Sequence, residues 1–192
     1  MKQISLIELS DNFYDDLNGE LTAVQVVDNE ELLFRFNCDN WNDTSHRLKF
    51  KITCKDIAES NLSPRPVAEL CLRDDHVLLW AYNHKHVQLF YNSIPKDPFR
   101  VLGLLWGAHQ RNTYPYSGKY SLIGTQNFVE HSQDGFGLLA RGPEPLINAY
   151  YDAISDEVEL NVVDSYEPIG GYSCLEFDEV YVIAKSFKVT CE

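Results

Sequence analysis

Alternation of apolar and polar residues constrains the fold of this chain more than any other feature of its sequence. The clearest run is Arg47 to Lys55, where apolar side chains at every second position alternate with mostly basic ones. A period of two places the apolar set on one face of a β-strand and the polar set on the other. About seven strand candidates precede residue 92, at roughly ten-residue spacing and with hairpin-type connections. This spacing predicts an antiparallel sheet or a sandwich and argues against βαβ units.

The middle of the chain is its densest apolar and aromatic part, and it predicts two strands followed by a helix. The strand candidates are Val77 to Tyr82 and His86 to Tyr91, separated by polar residues that suit a hairpin loop. A helix over residues 98–110 is expected next, because Asp97 can cap free amides and Pro98 suits the first helical position. Three-to-four spacing predicts the buried stripe of this helix: Phe99, Leu102, Leu105, Trp106 and His109.

A second amphipathic helix is predicted over residues 143–155, where Gly142 and Pro143 open an apolar periodic segment. Strand candidates come first and helices later, which is the pattern of the α+β class. No linker, repeat or low-complexity tract divides the chain. The sequence therefore predicts a single domain over residues 1–192, of the α+β class. We expect mainly an antiparallel β-sheet or sandwich with the two helices packed on it.

Composition excludes several other classes of protein. No run approaches the roughly 18 to 20 apolar residues that a membrane span requires, and no secretory signal pattern opens the chain. The five cysteines are odd in number, widely spaced and without a Cys-x-x-Cys motif. This pattern predicts reduced thiols, not a disulfide framework or a zinc site. We therefore expect a cytoplasmic protein that does not bind membranes.

Charge is distributed unevenly along the chain, whose net charge is −13. Residues 1–40 carry nine acidic against two basic residues, and residues 141–192 carry eleven against three. The middle is nearly neutral. An acidic surface formed by the two ends would repel nucleic acid and accelerate encounter with a basic partner. The alternative is an acidic exterior that only keeps the protein soluble.

Tyrosines supply the candidate binding residues. The loop-like segment beyond Arg111 is rich in Tyr, Ser, Asn and Gly, a composition typical of adaptable binding loops. A loop tryptophan and two later tyrosines complete the predicted set: Trp41, Tyr114, Tyr116, Tyr120, Tyr166 and Tyr172. The alternative is structural, with the tyrosines lying over the sheet and the indole covering an open sheet edge.

The basic face of the Arg47 to Lys55 run has two interpretations. Its four bases, Arg47, Lys49, Lys51 and Lys55, could bind an anionic ligand. They could instead pair across the sheet with acids such as Glu31 and Glu69. Cross-strand pairing is the interpretation that the sequence favours, since no aromatic residue shares the strand face of the bases, as nucleic-acid binding would require.

Catalytic motifs are missing from the sequence. It contains no Gly-x-Ser-x-Gly elbow and no glycine-rich phosphate loop. Histidines and carboxylates around a predicted turn allow a metal site on His76, His84 and His86, but their spacing is permissive and not diagnostic. We therefore expect no cofactor, and the sequence gives no support for an enzyme.

The function that the sequence favours is a non-catalytic, acidic protein-binding module, with an inhibitor or immunity-type protein as its sharpest version. The expected partner is another protein, basic in charge. Two alternatives stay open: a β-protein that binds a small molecule or anionic ligand, and a metal-dependent enzyme that uses the three histidines. Oligomeric state and partner identity do not follow from the sequence.

Overall fold

The structure is a computed structural model that describes residues 5–28, 31–120 and 128–192. Its tertiary contacts divide the chain into two units. Unit 1 comprises Met1–Leu79 and Gly171–Glu192, and unit 2 comprises Trp80–Gly170. The single domain expected from the sequence stays a prediction.

The described residues form the strands and helices of an α+β protein. The strands are β1 (Gly19–Val26), β2 (Glu31–Asn40), β3 (Asp43–Ser60), β4 (Arg65–Val67), β5 (Leu70–Arg73), β6 (His86–Tyr91), β7 (Gly137–Pro143), β8 (Leu160–Tyr166), β9 (Ser173–Phe177) and β10 (Val180–Cys191). The helices are α1 (Leu6–Asn12), α2 (Trp80–Asn83), α3 (Pro98–Thr113), α4 (Phe128–His131) and α5 (Glu144–Ile154). Short 3-10 turns lie at Asp15–Leu17, Val77–Leu79, Ser117–Lys119 and Ser132–Asp134.

Unit 1 is built on a curled seven-stranded sheet in the order β4-β1-β2-β3-β10-β9-β5, with antiparallel neighbours throughout. The predicted strand from Arg47 to Lys55 lies within β3, and its apolar positions Phe50, Ile52 and Cys54 are buried. The β2–β3 register places Phe34 opposite Ile52. The apolar residues at alternate positions of β2 and β3 therefore form one face of the core, because paired residues on neighbouring strands project to the same side of the sheet.

The pairing of the long strand β3 with β10 is irregular in one region. Asp56 has a positive φ of 56°, and the register shifts between Ile183 and Ala184 of β10. A bulge of this kind increases the local twist, so one continuous strand can follow a curled sheet. The buried core of unit 1 is formed mainly by phenylalanine and aliphatic side chains.

Unit 2 is a three-stranded antiparallel sheet in the order β7-β6-β8 with α3 and α5. Strand β6 has the predicted bounds, and its alternate residues Val87, Leu89 and Tyr91 are buried. Helix α3 begins as expected, since Oδ1 of Asp97 accepts hydrogen bonds from two free amides at its start, each at 3.0 Å. The predicted α+β class with an antiparallel sheet is therefore confirmed, and both predicted helices are present.

The predicted strand Val77 to Tyr82 is wrong. Residues Val77–Leu79 form a 3-10 turn and Trp80–Asn83 form α2. Leu78 and Leu79 are nevertheless buried, each 1% exposed. A short run that is apolar at consecutive positions does not distinguish a strand from a buried helical turn, because burial satisfies either conformation.

The predicted buried stripe of α3 is only partly correct. Leu105 and His109 are buried, but Phe99 is 71% and Trp106 57% exposed. The buried face is instead formed by Val101, Leu105, Ala108, His109 and Thr113. The predicted and observed faces share Leu105 and His109, and the helix is rotated about them so that Val101, Ala108 and Thr113 are buried in place of Phe99 and Trp106. This face includes the contact of α3 with α5.

None of the helices in the described residues has the length and apolar composition needed to cross a bilayer.

The cysteines offer a first test of the structure. Cys38, Cys54 and Cys174 are buried, whereas Cys71 and Cys191 are partly accessible. Burial raises the pKa of Cys38 to about 11 and that of Cys54 to about 12. Burial, followed by its hydrogen bond to Glu69, also raises the pKa of Cys71. Since the thiolate is the reactive form, these raised pKa values lower the reactivity of the thiols at pH 8.

We therefore expect a chromogenic disulfide reagent at pH 8 to titrate Cys191 first, then Cys71, in the native protein. The three buried cysteines should become reactive only in denaturant, where all five are labelled. Mass spectrometry of the labelled peptides would identify them. Rapid labelling of Cys54 in the native state would contradict the placement of β3 in the core.

Candidate functional site

Trp41 lies at the tip of the hairpin that joins β2 to β3. Asn40 pairs with Asp43, so Trp41 and Asn42 form the two-residue turn. The indole lies parallel to the ring of Phe50, with an interplanar angle of 3° and 6.3 Å between the ring centroids. It is half-buried, packed against the unit 1 core. The indole thus covers part of the core, and not an open sheet edge, and it keeps an accessible surface.

A cavity of about 210 Å³ lies beside this indole. Its lining comes from α1, the β2–β3 hairpin and the end of β10: Glu8, Asn40, Trp41, Asn42, Leu48, Phe50 and Cys191. Glu8 is exposed, and its carboxylate makes no ion pair within the described ranges. One carboxylate, two side-chain amides and an indole suit an organic cation, which aromatic faces and negative charge both attract. We refer to this feature as the Trp41 cavity.

Other acids near this hairpin already have partners. Arg47 Nη1 lies 3.7 Å from Asp39 Oδ1. Asp43 accepts hydrogen bonds from the side chain and backbone of Ser45, and these bonds lower the pKa of the Asp43 carboxyl. Glu8 is thus the carboxylate of the cavity lining that is left to pair with a ligand.

A second cavity, of about 400 Å³, lies within unit 2. It brings together two of the predicted binding tyrosines, Tyr120 and Tyr166, with His86. The Tyr166 ring stacks on the His86 imidazole at 4.3 Å between centroids. Tyr120 lies next to Trp80, with 6.4 Å between ring centroids. We refer to this feature as the His86 cavity.

The remaining predicted tyrosines do not join either cavity lining. Tyr114 is 78% exposed beyond the end of α3, and Tyr116 is half-buried. Tyr172 belongs to unit 1, where Lys185 Nζ lies 5.1 Å from the centre of its ring. The six candidates are divided between the two units, with Trp41 and Tyr172 in unit 1 and the other four in unit 2.

The basic face of β3 is partly neutralised by neighbouring acids. Arg47 pairs with Asp39, and Lys55 Nζ lies 3.5 Å from Glu31 Oε2. Lys49 and Lys51 make no ion pair within the described part of the chain. Glu69, the other acid considered for this face, instead lies 4.0 Å from Arg73. Cross-strand pairing thus accounts for two of the four bases, and exposed pairs of this kind stabilise weakly.

The three histidines of the metal hypothesis have separate surroundings. His76 belongs to unit 1, where its Nδ1 lies 3.6 Å from Glu176 Oε1 and burial lowers its pKa. His84 and His86 belong to unit 2, and the His86 Nε2 lies 3.1 Å from the carbonyl oxygen of Ala81. Across residues 5–28, 31–120 and 128–192, no group of three or more metal-ligating side chains is placed to hold an ion.

Sequence reasoning missed Glu8 and Cys191 in the Trp41 cavity, and Lys119 and Arg141 in the His86 cavity. The members of each cavity come from segments far apart in the sequence. Glu8 and Cys191, for example, stand near opposite ends of the chain. No local sequence pattern predicts that such distant residues line one cavity.

Comparisons with protein-family models, with curated proteins and with solved structures found no match to this chain.

Proposed function

We propose that this protein is a non-catalytic, acidic protein-binding module that holds a basic partner by a lysine or arginine side chain in the Trp41 cavity. The observation that carries the proposal is the lining of this cavity. It combines the accessible indole of Trp41 with the unpaired carboxylate of Glu8, and the described residues of the lining include no lysine or arginine. An inhibitor or immunity-type role is the sharpest version of this function.

Charge supports a basic partner over an acidic or neutral one. Unit 1 carries 19 of the 29 acidic residues and 10 of the 16 basic ones. This excess accelerates the approach of a cation and becomes weaker as salt screens it. The cavity then supplies the specific contact, since a cation over an indole gains roughly 0.5 to 2 kcal/mol, depending on how fully it is desolvated.

The five free cysteines also belong to the proposal. Unpaired thiols persist in a reducing compartment, so we propose a cytoplasmic location for this interaction.

A direct test follows the indole NMR signal of Trp41 during titration with a lysine- and arginine-rich decapeptide. We expect a saturable shift at 50 mM salt that weakens as salt is raised. The variant Trp41→Leu should lower affinity about tenfold, because it removes the aromatic face. The variant Glu8→Gln should lower it about threefold, as expected for an exposed ion pair. Affinities of both variants are measured by calorimetry.

Matched controls separate the cavity from general charge attraction. Asp11 is an exposed acid on the same helix as Glu8 but outside the cavity lining. The variant Asp11→Asn removes the same charge and should keep the peptide affinity within about twofold. A glutamine-rich decapeptide should not shift the indole signal. Equal losses of peptide affinity in Glu8→Gln and Asp11→Asn would show that the interaction is non-specific charge attraction, which would contradict the proposal.

Cys191 provides an independent measurement, because its thiol lines the Trp41 cavity. Bound peptide should slow its alkylation, while the partly accessible Cys71 on β5 serves as an internal reference. Slowing of both thiols to the same extent, or of neither, would contradict occupation of the cavity.

A further inference from the structure

The His86 cavity has a charge opposite to that of the molecule around it. Unit 2 contains ten acidic and six basic residues. Two of those bases, Lys119 and Arg141, line the cavity together with His86, and its described lining includes no aspartate or glutamate. In a chain of net charge −13, a cavity with only basic ionisable groups and phenols attracts anions locally.

Arg141 is available to a ligand. It is exposed on β7, and its guanidinium makes no hydrogen bond or ion pair within the described residues. A free guanidinium can bind a carboxylate or phosphate through two parallel hydrogen bonds. One of the nearby acids, Asp164, is paired, since Lys85 Nζ lies 2.6 Å from its Oδ1. That bond raises the pKa of Lys85.

The other groups of the lining suit a flat, partly apolar body. Tyr166 remains 54% exposed although it stacks on His86, so part of its ring is open to contact. The ring of His86 is fixed in place, because its Nε2–H donates to the carbonyl oxygen of Ala81 at 3.1 Å. Gln88 and Ser165 add neutral polar groups. Aromatic rings stack favourably on such surfaces, with energies of about 0.5 to 1.5 kcal/mol beyond burial.

We propose that the His86 cavity binds a small organic anion that carries a flat ring. Arg141 holds the carboxylate or phosphate, and the tyrosines contact the ring. The volume of about 400 Å³ lies within the range of small-molecule sites in proteins. The site lies within unit 2, whereas the Trp41 cavity lies within unit 1. Either proposal can therefore fail without the other.

The test measures binding of four probes to the full chain by calorimetry and NMR: adenosine monophosphate, benzoate, adenosine and inorganic phosphate. The first two combine a ring with an anionic group, and the others supply only one part. We expect at least one combined probe to bind about tenfold more tightly than adenosine or phosphate. Comparison of adenosine monophosphate with benzoate then distinguishes a phosphate-bearing from a carboxylate-bearing ligand.

Variants locate the site. The variant Arg141→Gln should weaken the combined probe about tenfold, because a hydrogen bond to a charged group is lost. Arg111 is an exposed arginine on α3 outside the cavity lining, so Arg111→Gln is the matched control. Its affinity should stay within about twofold of the unaltered protein.

A space-filling variant tests the cavity without removing a charge. Gly142 lines the cavity, and a Cβ added there meets no atom within 4 Å. The variant Gly142→Leu should therefore fold normally, as its NMR spectrum would show, and lose affinity for the combined probe. The proposal is overturned if no combined probe saturates by 10 mM, or if Arg141→Gln and Gly142→Leu both bind like the unaltered protein. Phosphate binding as tightly as adenosine monophosphate would overturn the role of the ring.

Discussion

Replacement of Phe36 with alanine is expected to lower the free energy of unfolding by about 3 to 5 kcal/mol. Phe36 is fully buried on β2. Its ring meets Phe13 edge-on at 5.1 Å, lies nearly parallel to Phe50 at 6.4 Å, and contacts Phe177 at 5.8 Å. One side chain thus joins the N-terminal segment to three strands. Truncation removes its burial and leaves a void that these rings cannot fill without moving.

Urea denaturation followed by circular dichroism measures this loss. Phe99 is the matched control, because it is 71% exposed and its replacement with alanine should change stability by less than about 0.5 kcal/mol. A loss below about 1 kcal/mol for Phe36→Ala would contradict the core described for unit 1.

The same urea denaturation, followed by the indole NMR signals of the three tryptophans, tests the expectation of a single domain. Trp41 reports on unit 1, while Trp80 and Trp106 report on unit 2. If the chain unfolds as one domain, Phe36→Ala shifts the indole signals of all three tryptophans to the same lower urea concentration. A shift confined to Trp41 would show two independently unfolding units.

The second large effect is expected at a buried polar pair in unit 2. Oη of Tyr150 lies 2.6 Å from Nδ1 of His109, and the Nε2 of that imidazole lies 2.9 Å from the carbonyl oxygen of Ser117. A carbonyl oxygen can only accept, so Nε2 carries a proton and donates it. In the neutral imidazole, Nδ1 then accepts the hydrogen bond from the Tyr150 hydroxyl.

The variant Tyr150→Phe leaves Nδ1 of His109 buried without a donor, which should cost about 1 to 3 kcal/mol of unfolding free energy. Tyr151, the next residue on α5, is 39% exposed, so Tyr151→Phe is a control with the same change of atoms. We expect that control to stay within about 0.5 kcal/mol of the unaltered protein. Equal effects of the two variants would show that the buried hydrogen bond contributes nothing.

The dependence of stability on alkaline pH measures the contribution of the Tyr150 hydroxyl separately from that of its ring. Burial raises the pKa of Tyr150 above its ordinary value near 10. Above pH 10 the unfolded chain releases this proton while the folded chain retains it, so stability falls as pH rises through that window. The unaltered protein and Tyr151→Phe should therefore lose stability more steeply than Tyr150→Phe above pH 10. Parallel curves for all three proteins would contradict the burial of this phenol.

Local patterns in the sequence predicted the parts of the fold that depend on local geometry. The alternation from Arg47 to Lys55 and from His86 to Tyr91 fixed two strands, because a period of two matches the pleat. Asp97 and Pro98 fixed the start of α3, because a cap needs only the amides that follow it. These elements were sufficient to identify the α+β class.

Tertiary packing decided what these patterns left open. It placed Leu78 and Leu79 in a helical turn, and it left Phe99 and Trp106 of α3 exposed to solvent. It also brought Glu8 and Cys191 to Trp41, and Arg141 to the cavity beside His86. The physical reason is that hydrogen-bonding and steric preferences act between near neighbours in the chain. The choice of buried face and the lining of a cavity, in contrast, depend on contacts between segments that are distant in sequence.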